Sequence, residues 1–110
     1  MPTSEPVRLS ETETPNDPPL TGQVMVATTG IPIQFSTVRR RLPQACVFVT
    51  ADADNAGAVT VGNGQVTNEV DGTGNGLVVP AGETRLLMAL DLSQCHLNGT
   101  EDDWISYTAG

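Results

Sequence analysis

The stretch TADADNAGAVTVGNG, Thr50 to Gly64, places Asp52, Asp54 and Asn55 just ahead of Gly57. Carboxylate and amide oxygens at this spacing are the raw material of a calcium loop. Such a loop needs oxygen ligands at its first, third and fifth positions, glycine at the sixth, and a bidentate glutamate at the twelfth. Counted from Asp52, the fifth position is Ala56 and the twelfth is Asn63. The bidentate carboxylate is therefore missing, along with one other oxygen. The stretch fits a turn better: Asp and Asn side chains bond nearby backbone, and Gly57 is free to take a positive φ. No metal site and no cofactor are expected.

The other chemistry-bearing residues are sparse. Gly62-Asn63-Gly64 and Gly72-Thr73-Gly74-Asn75-Gly76 match neither phosphate-loop pattern and precede no helix, so they read as hairpin and loop glycines. His96 is the single histidine and adjoins Cys95. Adjacent residues on a strand point to opposite faces, whereas a Cys–His nucleophile pair must touch. No catalytic residues are expected, and the chain reads as a non-enzyme. Cys46 and Cys95 lack the spacing of a metal or redox motif and read as two buried thiols rather than a disulfide. Glu101-Asp102-Asp103 reads as a solvated loop, and Asn98-Gly99-Thr100 as a turn rather than a used glycosylation site. Arg39-Arg40-Arg41 supplies three of the five cations. It is either a surface turn whose stems cover apolar edges or an anchor on an acidic partner.

Composition narrows the function classes. The chain has 110 residues, a formal net charge of −8 and no lysine. Nucleic-acid binding needs a basic face to neutralise phosphates, so it is not expected. No apolar run approaches the ~18 residues that would span a bilayer, so no membrane partner is expected. The first twenty residues have no apolar core of the signal-peptide kind.

Residues 1–22 hold five of the eight prolines and are otherwise rich in Thr, Ser, Glu and Asp. Such a segment cannot bury enough apolar surface to fold alone. It reads as an extended Pro-rich arm that docks on a partner or a neighbouring copy. The remainder, 23–110, reads as one β domain. QVMVAT, IPIQFS, ACVFVTA, AVTVG, QVTNEV, GLVV, TRLLMALDL, CHLNGT and WISY are expected strands, separated by turn residues. Pro32 cannot donate to a ladder, so its strand belongs at an edge. ACVFVTA is apolar on both faces and is expected to be central and covered on both sides. In TRLLMALDL the alternation Leu86, Met88, Leu90 favours strand over helix. The fold class is all-β: a single β-sandwich or jelly-roll-like domain with an extended N-terminal arm.

The ordered pattern RLPQACVFVTADADNAGAVTVGNGQVT, then GLVVPAGETRLLMALDLSQCHLNG, then DDWISYTAG resembles the small all-β virion proteins of tailed bacterial and archaeal viruses. The elements that carry the likeness are the Asn55-Ala56-Gly57 turn, the Val59 to Gly62 strand, the Pro-Ala-Gly-Glu turn within Gly76 to Glu83, the Asp91-Leu92-Ser93 step and the final Trp104 to Tyr107 strand. They span about residues 41–108. The resemblance implies a structural role: a decoration or cement protein on the outer capsid surface, assembled in the host cytoplasm. Its implied partners are the major capsid protein and itself, as a homotrimer that bridges neighbouring capsid subunits. The implied contact residues are Pro6, Val7, Leu9 and Leu20 in the arm, with Arg39, Arg40 and Arg41. A head-fibre, neck or tail component is the alternative. A carbohydrate-binding β-sandwich module is a reading of another class. It wants a shared aromatic platform, which Trp104 and Tyr107, three positions apart on one strand, do not provide.

Overall fold

The computed structural model describes residues 20–69 and 74–110. These residues form eight strands in two antiparallel four-stranded sheets. The strands are β1 (Leu20–Met25), β2 (Ile33–Gln34), β3 (Cys46–Ala51), β4 (Val59–Gly62), β5 (Leu77–Val79), β6 (Thr84–Met88), β7 (His96–Asn98) and β8 (Trp104–Ala109). A single 3-10 turn, Leu92–Gln94, joins β6 to β7. The first sheet runs β1-β8-β3-β6 and the second β2-β7-β4-β5. This order pairs β4 with β5, β3 with β6, β2 with β7 and β1 with β8. It is the winding of a jelly roll, a long hairpin folded over on itself into two layers.

Alternation decides which side chains enter the space between the layers. On β3, Val47, Val49 and Ala51 turn inward and are buried, and the facing Leu87, Tyr107, Ala109 and Ile105 come from β6 and β8. From the other layer come Val59 and Val61 of β4, Val79 of β5 and Leu97 of β7. β-Branched residues dominate because they pack well on a pleated surface. Full burial of each such side chain contributes about 1.5 kcal/mol or more. One aromatic stack closes the end of the core: the Phe35 and Tyr107 ring centroids lie 5.4 Å apart. The Tyr107 ring lies across Gly22, its partner on β1, where a Cβ would come within 2.6 Å of the phenol oxygen.

The structure departs from the sequence expectations in four places. The arm was delimited at residue 22, yet Leu20, Thr21 and Gly22 pair with Ala109, Thr108 and Tyr107 as the first half of β1. β3 is central, between β8 and β6, but only one of its faces is covered: Phe48 is 51 % exposed. A seven-residue apolar run shows that a strand is interior to its sheet, not that a second layer lies over it. QVTNEV forms no strand over its described residues; instead Val66 is buried as a plug, its N–H bonded to the Asn63 carbonyl. TRLLMALDL is a strand only to Met88, and Asp91 then caps the 3-10 turn. Pro32 does mark an edge, since β2 is the outermost strand of the second sheet.

A buried amide fastens the loops to the second sheet. Asn98 is 1 % exposed. Its Nδ2 donates to the carbonyls of Gly30, at 3.2 Å, and Val66, at 2.9 Å, and its Oδ1 accepts the Gly99 N–H at 2.8 Å. No glycan could be attached to a side chain enclosed in this way. Thr60, beside it on β4, donates to the Thr67 carbonyl. Asn98→Ala removes the partner of two carbonyls and one N–H, most of them buried. It is expected to destabilise the fold by about 3 kcal/mol, measured as the shift in a urea unfolding curve.

Candidate functional site

The acidic loop spends its oxygens on the protein itself. Asp52 Oδ2 accepts the Asp54 N–H at 3.1 Å, the Asx turn that the sequence suggested. Asn55 instead reaches across to β8, where its Oδ1 accepts from the Trp104 N–H and its Nδ2 donates to the Trp104 carbonyl, each at 3.0 Å. This two-way amide pairing extends β8 by one side-chain rung. The loop is then closed from below by Asp103. Its Oδ1 accepts the Ala56 N–H at 2.7 Å and its Oδ2 the Gly57 N–H at 3.2 Å.

Asp103 corrects one sequence reading. Placed with Glu101 and Asp102 in a solvated run, it is in fact 4 % exposed and serves as a carboxylate clasp. Gly57 corrects another. It was read as free to take a positive φ, a freedom the fold does not use: the left-handed glycines of the described chain are Gly30, Gly76 and Gly82. Gly57 instead presents its N–H to a carboxylate. Asp102, at φ 74°, makes the reversal that turns Asp103 inward. Among the described residues, no three His, Cys, Asp or Glu side chains gather into a metal-binding group. Asp103→Ala removes the acceptor of two backbone N–H groups. The expected cost is about 2 kcal/mol by thermal or urea unfolding, with added calcium leaving the wild-type midpoint unchanged.

The arginine triplet is held by a second carboxylate. Arg39, Arg40 and Arg41 are all exposed. Asp91 Oδ1 accepts the Arg40 N–H at 2.9 Å, and the backbone of Arg41 forms an isolated antiparallel β-bridge with that of Asp91. The same oxygen accepts the Ser93 hydroxyl at 2.7 Å and the Ser93 N–H at 2.9 Å. The Asp91-Leu92-Ser93 step is thus an N-cap whose carboxylate also sets the backbone of the triplet. The Ser93 hydroxyl first, then the Ser93 and Arg40 N–H groups, hold the Asp91 carboxyl below its ordinary 3.8. A lowered folded pKa gives stability that is full above the unfolded value and is lost as pH falls through the folded one. Asp91→Asn is therefore expected to flatten the dependence of stability on pH below about 3.8, read as unfolding midpoints across that range.

The remaining candidates separate in space. Cys95 is buried, and burial pushes its thiol up to about 11, which favours the protonated, weakly nucleophilic form at neutral pH. Both cysteines are free, as expected, but Cys46 is only half-buried, on the outer side of β3. His96 lies on the far side of β7 with its Nδ1 against the Gln94 carbonyl at 3.2 Å. It borders a cleft of about 480 Å³ between β6 and the Gly62 to Gly64 turn. Asn63 and Asn75 use their polar atoms to shape their own loops, the first on the Gln65 N–H and the second on the Gln65 carbonyl. Of the interface residues expected from the sequence, Leu20 packs on the core at the start of β1. Pro6, Val7 and Leu9 lie outside the described residues.

The feature that sequence reasoning missed is a surface. Phe48, Leu86 and Met88 stand side by side on the outer side of the first sheet, exposed at 51 %, 46 % and 68 %. Cys46 faces Met88, and Met25 faces Trp104 across the same side. Between them run hydroxyls: Thr50, Thr84, Ser106 and Thr108. A shallow depression of about 510 Å³ lies beside Phe48, over β1 and β8. The alternation Leu86, Met88, Leu90 carried the signal, but it could not say which side of the strand the core would take. Trp104 turns to this outer side and Tyr107 to the core, so the two aromatics form no common platform. Compared with known proteins, the chain matches no family model and has no significant match to a curated protein or a solved structure.

Proposed function

We propose that this chain is a structural component of a virus particle, decorating the outer surface of a tailed-virus capsid and bridging neighbouring capsid subunits. The observation that carries the reading is the strand order, β1-β8-β3-β6 over β2-β7-β4-β5. This double-layered jelly roll is an architecture shared by viral capsid and lectin domains. The likeness of residues 41–108 to small virion proteins supports the same choice. So does the use of the polar loops: their carboxylates and amides hold backbone rather than a ligand.

On this reading the mechanism is additional buried area. A decoration protein seated across a seam adds contact between subunits that internal pressure would otherwise separate. Contact comes from residues 1–19, which run into β1, and from the exposed Arg39 to Arg41 segment, whose charge suits an acidic patch on the capsid. An extended segment binding a sheet edge gains backbone hydrogen bonds as well as side-chain pockets. A head-fibre, neck or tail position is the second reading. It shares the fold and differs in copy number.

Deleting residues 2–19 removes none of the eight strands of the described residues. The truncated chain is expected to keep its unfolding midpoint and to lose occupancy on purified capsids, measured by co-sedimentation. Unchanged occupancy would remove the arm from the contact. Quantitative mass spectrometry of particles carrying this chain separates the two positions: copies comparable with the major capsid protein fit decoration, and a handful per particle fits a neck, tail or fibre.

A further inference from the structure

The two outer sides of the sandwich are not alike. The second sheet is roofed by its own loops: Val66 is buried there, and Asn98 and Thr60 bond outward to the carbonyls of Val66 and Thr67. The first sheet has no such roof among the described residues. Its four strands turn twelve side chains outward, three from each, and none is acidic or basic. In a chain of net charge −8 this is an unusual distribution. The described acidic residues all sit in the connections between strands. At the β3–β6 half of the face, Phe48, Leu86, Met88 and Cys46 form a continuous apolar strip.

We propose that this face is a contact between two copies of the chain, packed sheet against sheet about a two-fold axis. Charge selects the occupant. Two copies at −8 repel each other on most approaches, and the uncharged sheet is the side on which they meet without bringing carboxylates together. Geometry agrees, because twisted sheets stack face to face about 10 Å apart with interdigitating side chains. A surface meeting its own copy is isologous, which requires a two-fold rather than the three-fold implied by the resemblance. Phe48 of one copy then packs against Leu86 and Met88 of the other. Size sets the strength. Four strands of about five residues span roughly 19 Å by 17 Å, so the pair belongs with small, reversible interfaces.

The inference does not rest on the capsid reading, because it is tested on the purified full-length chain. Sedimentation equilibrium over a concentration series reaching about 1 mM is expected to show the mass rising from one copy to two. Leu86→Glu and Met88→Glu both place a carboxylate at an exposed position and should leave circular dichroism and the unfolding midpoint near wild type. Each is expected to weaken association by about tenfold or more. Maleimide labelling of Cys46 gives an independent readout: it should slow with rising wild-type concentration and not with that of Met88→Glu. A wild-type chain that stays monomeric throughout overturns the proposal. So does a dimer that survives both substitutions, or a limiting mass of three copies. Capture of glycans by a monomeric wild type, lost in Leu86→Glu, would also overturn it and give the face to a carbohydrate.

Discussion

A two-layer sandwich has one interior, so each strand can bury only one of its two sides. Most of this structure follows from that constraint. Val47, Val49, Val59, Val61, Leu97 and Ile105 occupy the single shared space. Every alternate side chain must then be solvated, roofed by a loop or left as apolar surface. The second sheet takes the roof, built on Val66 and tied down by Asn98. The first sheet leaves Phe48, Leu86 and Met88 in the open. The same alternation that packs the core therefore creates the one broad uncharged surface described.

Polar side chains secure the connections. Asp103 holds the N–H groups of Ala56 and Gly57, Asn55 pairs with both backbone groups of Trp104, and Asp91 gathers Ser93 and the backbone of Arg40. Each is a local solution to the rule that a backbone group withdrawn from water needs a partner. The loops have little secondary structure of their own, so side-chain oxygens supply what a ladder would have supplied. A charge-rich stretch such as DADNAG can therefore look like an ion site in sequence and act as an internal fastener in the fold.

Strand identity was readable where the local pattern and the tertiary setting agree. ACVFVTA, with its two valines, Phe48 and Thr50, and WISY, with Ile105 and two aromatics, carry strong strand-forming content, and Pro32 confines its strand to an edge for a chemical reason. What could not be read locally was layering. Whether Phe48 is covered depends on what lies above β3, which no neighbouring residue encodes. Asp103 was misplaced for the same reason. Its sequence neighbours are exposed acids, and only the return of the Ala56–Gly57 loop makes it an acceptor. Val66 was read as strand from its composition but acts as a plug: its side chain is buried and its N–H bonds the Asn63 carbonyl within a turn rather than a ladder. That the acidic loop lacks two oxygens of a calcium loop, at Ala56 and Asn63, was legible in the sequence, while the identity of its closing group, Asp103, depended on the fold.

The nested strand order also governs when this chain can fold. β8 lies between β1 and β3, and β7 lies between β2 and β4. Each sheet is held together in its middle by a strand made late in synthesis. As the chain emerges from a ribosome, β1 and β3 have no direct ladder to each other: β1 must wait, unpaired, for Trp104–Ala109, and β3 has only β6 beside it until then. Such dependence on distant segments belongs to the slow-folding class of β topologies, in which loop-closure entropy is met before long-range pairs form. During that interval the apolar strip on β3 and the valines behind it are exposed together. A net charge of −8 opposes the association of such incomplete chains.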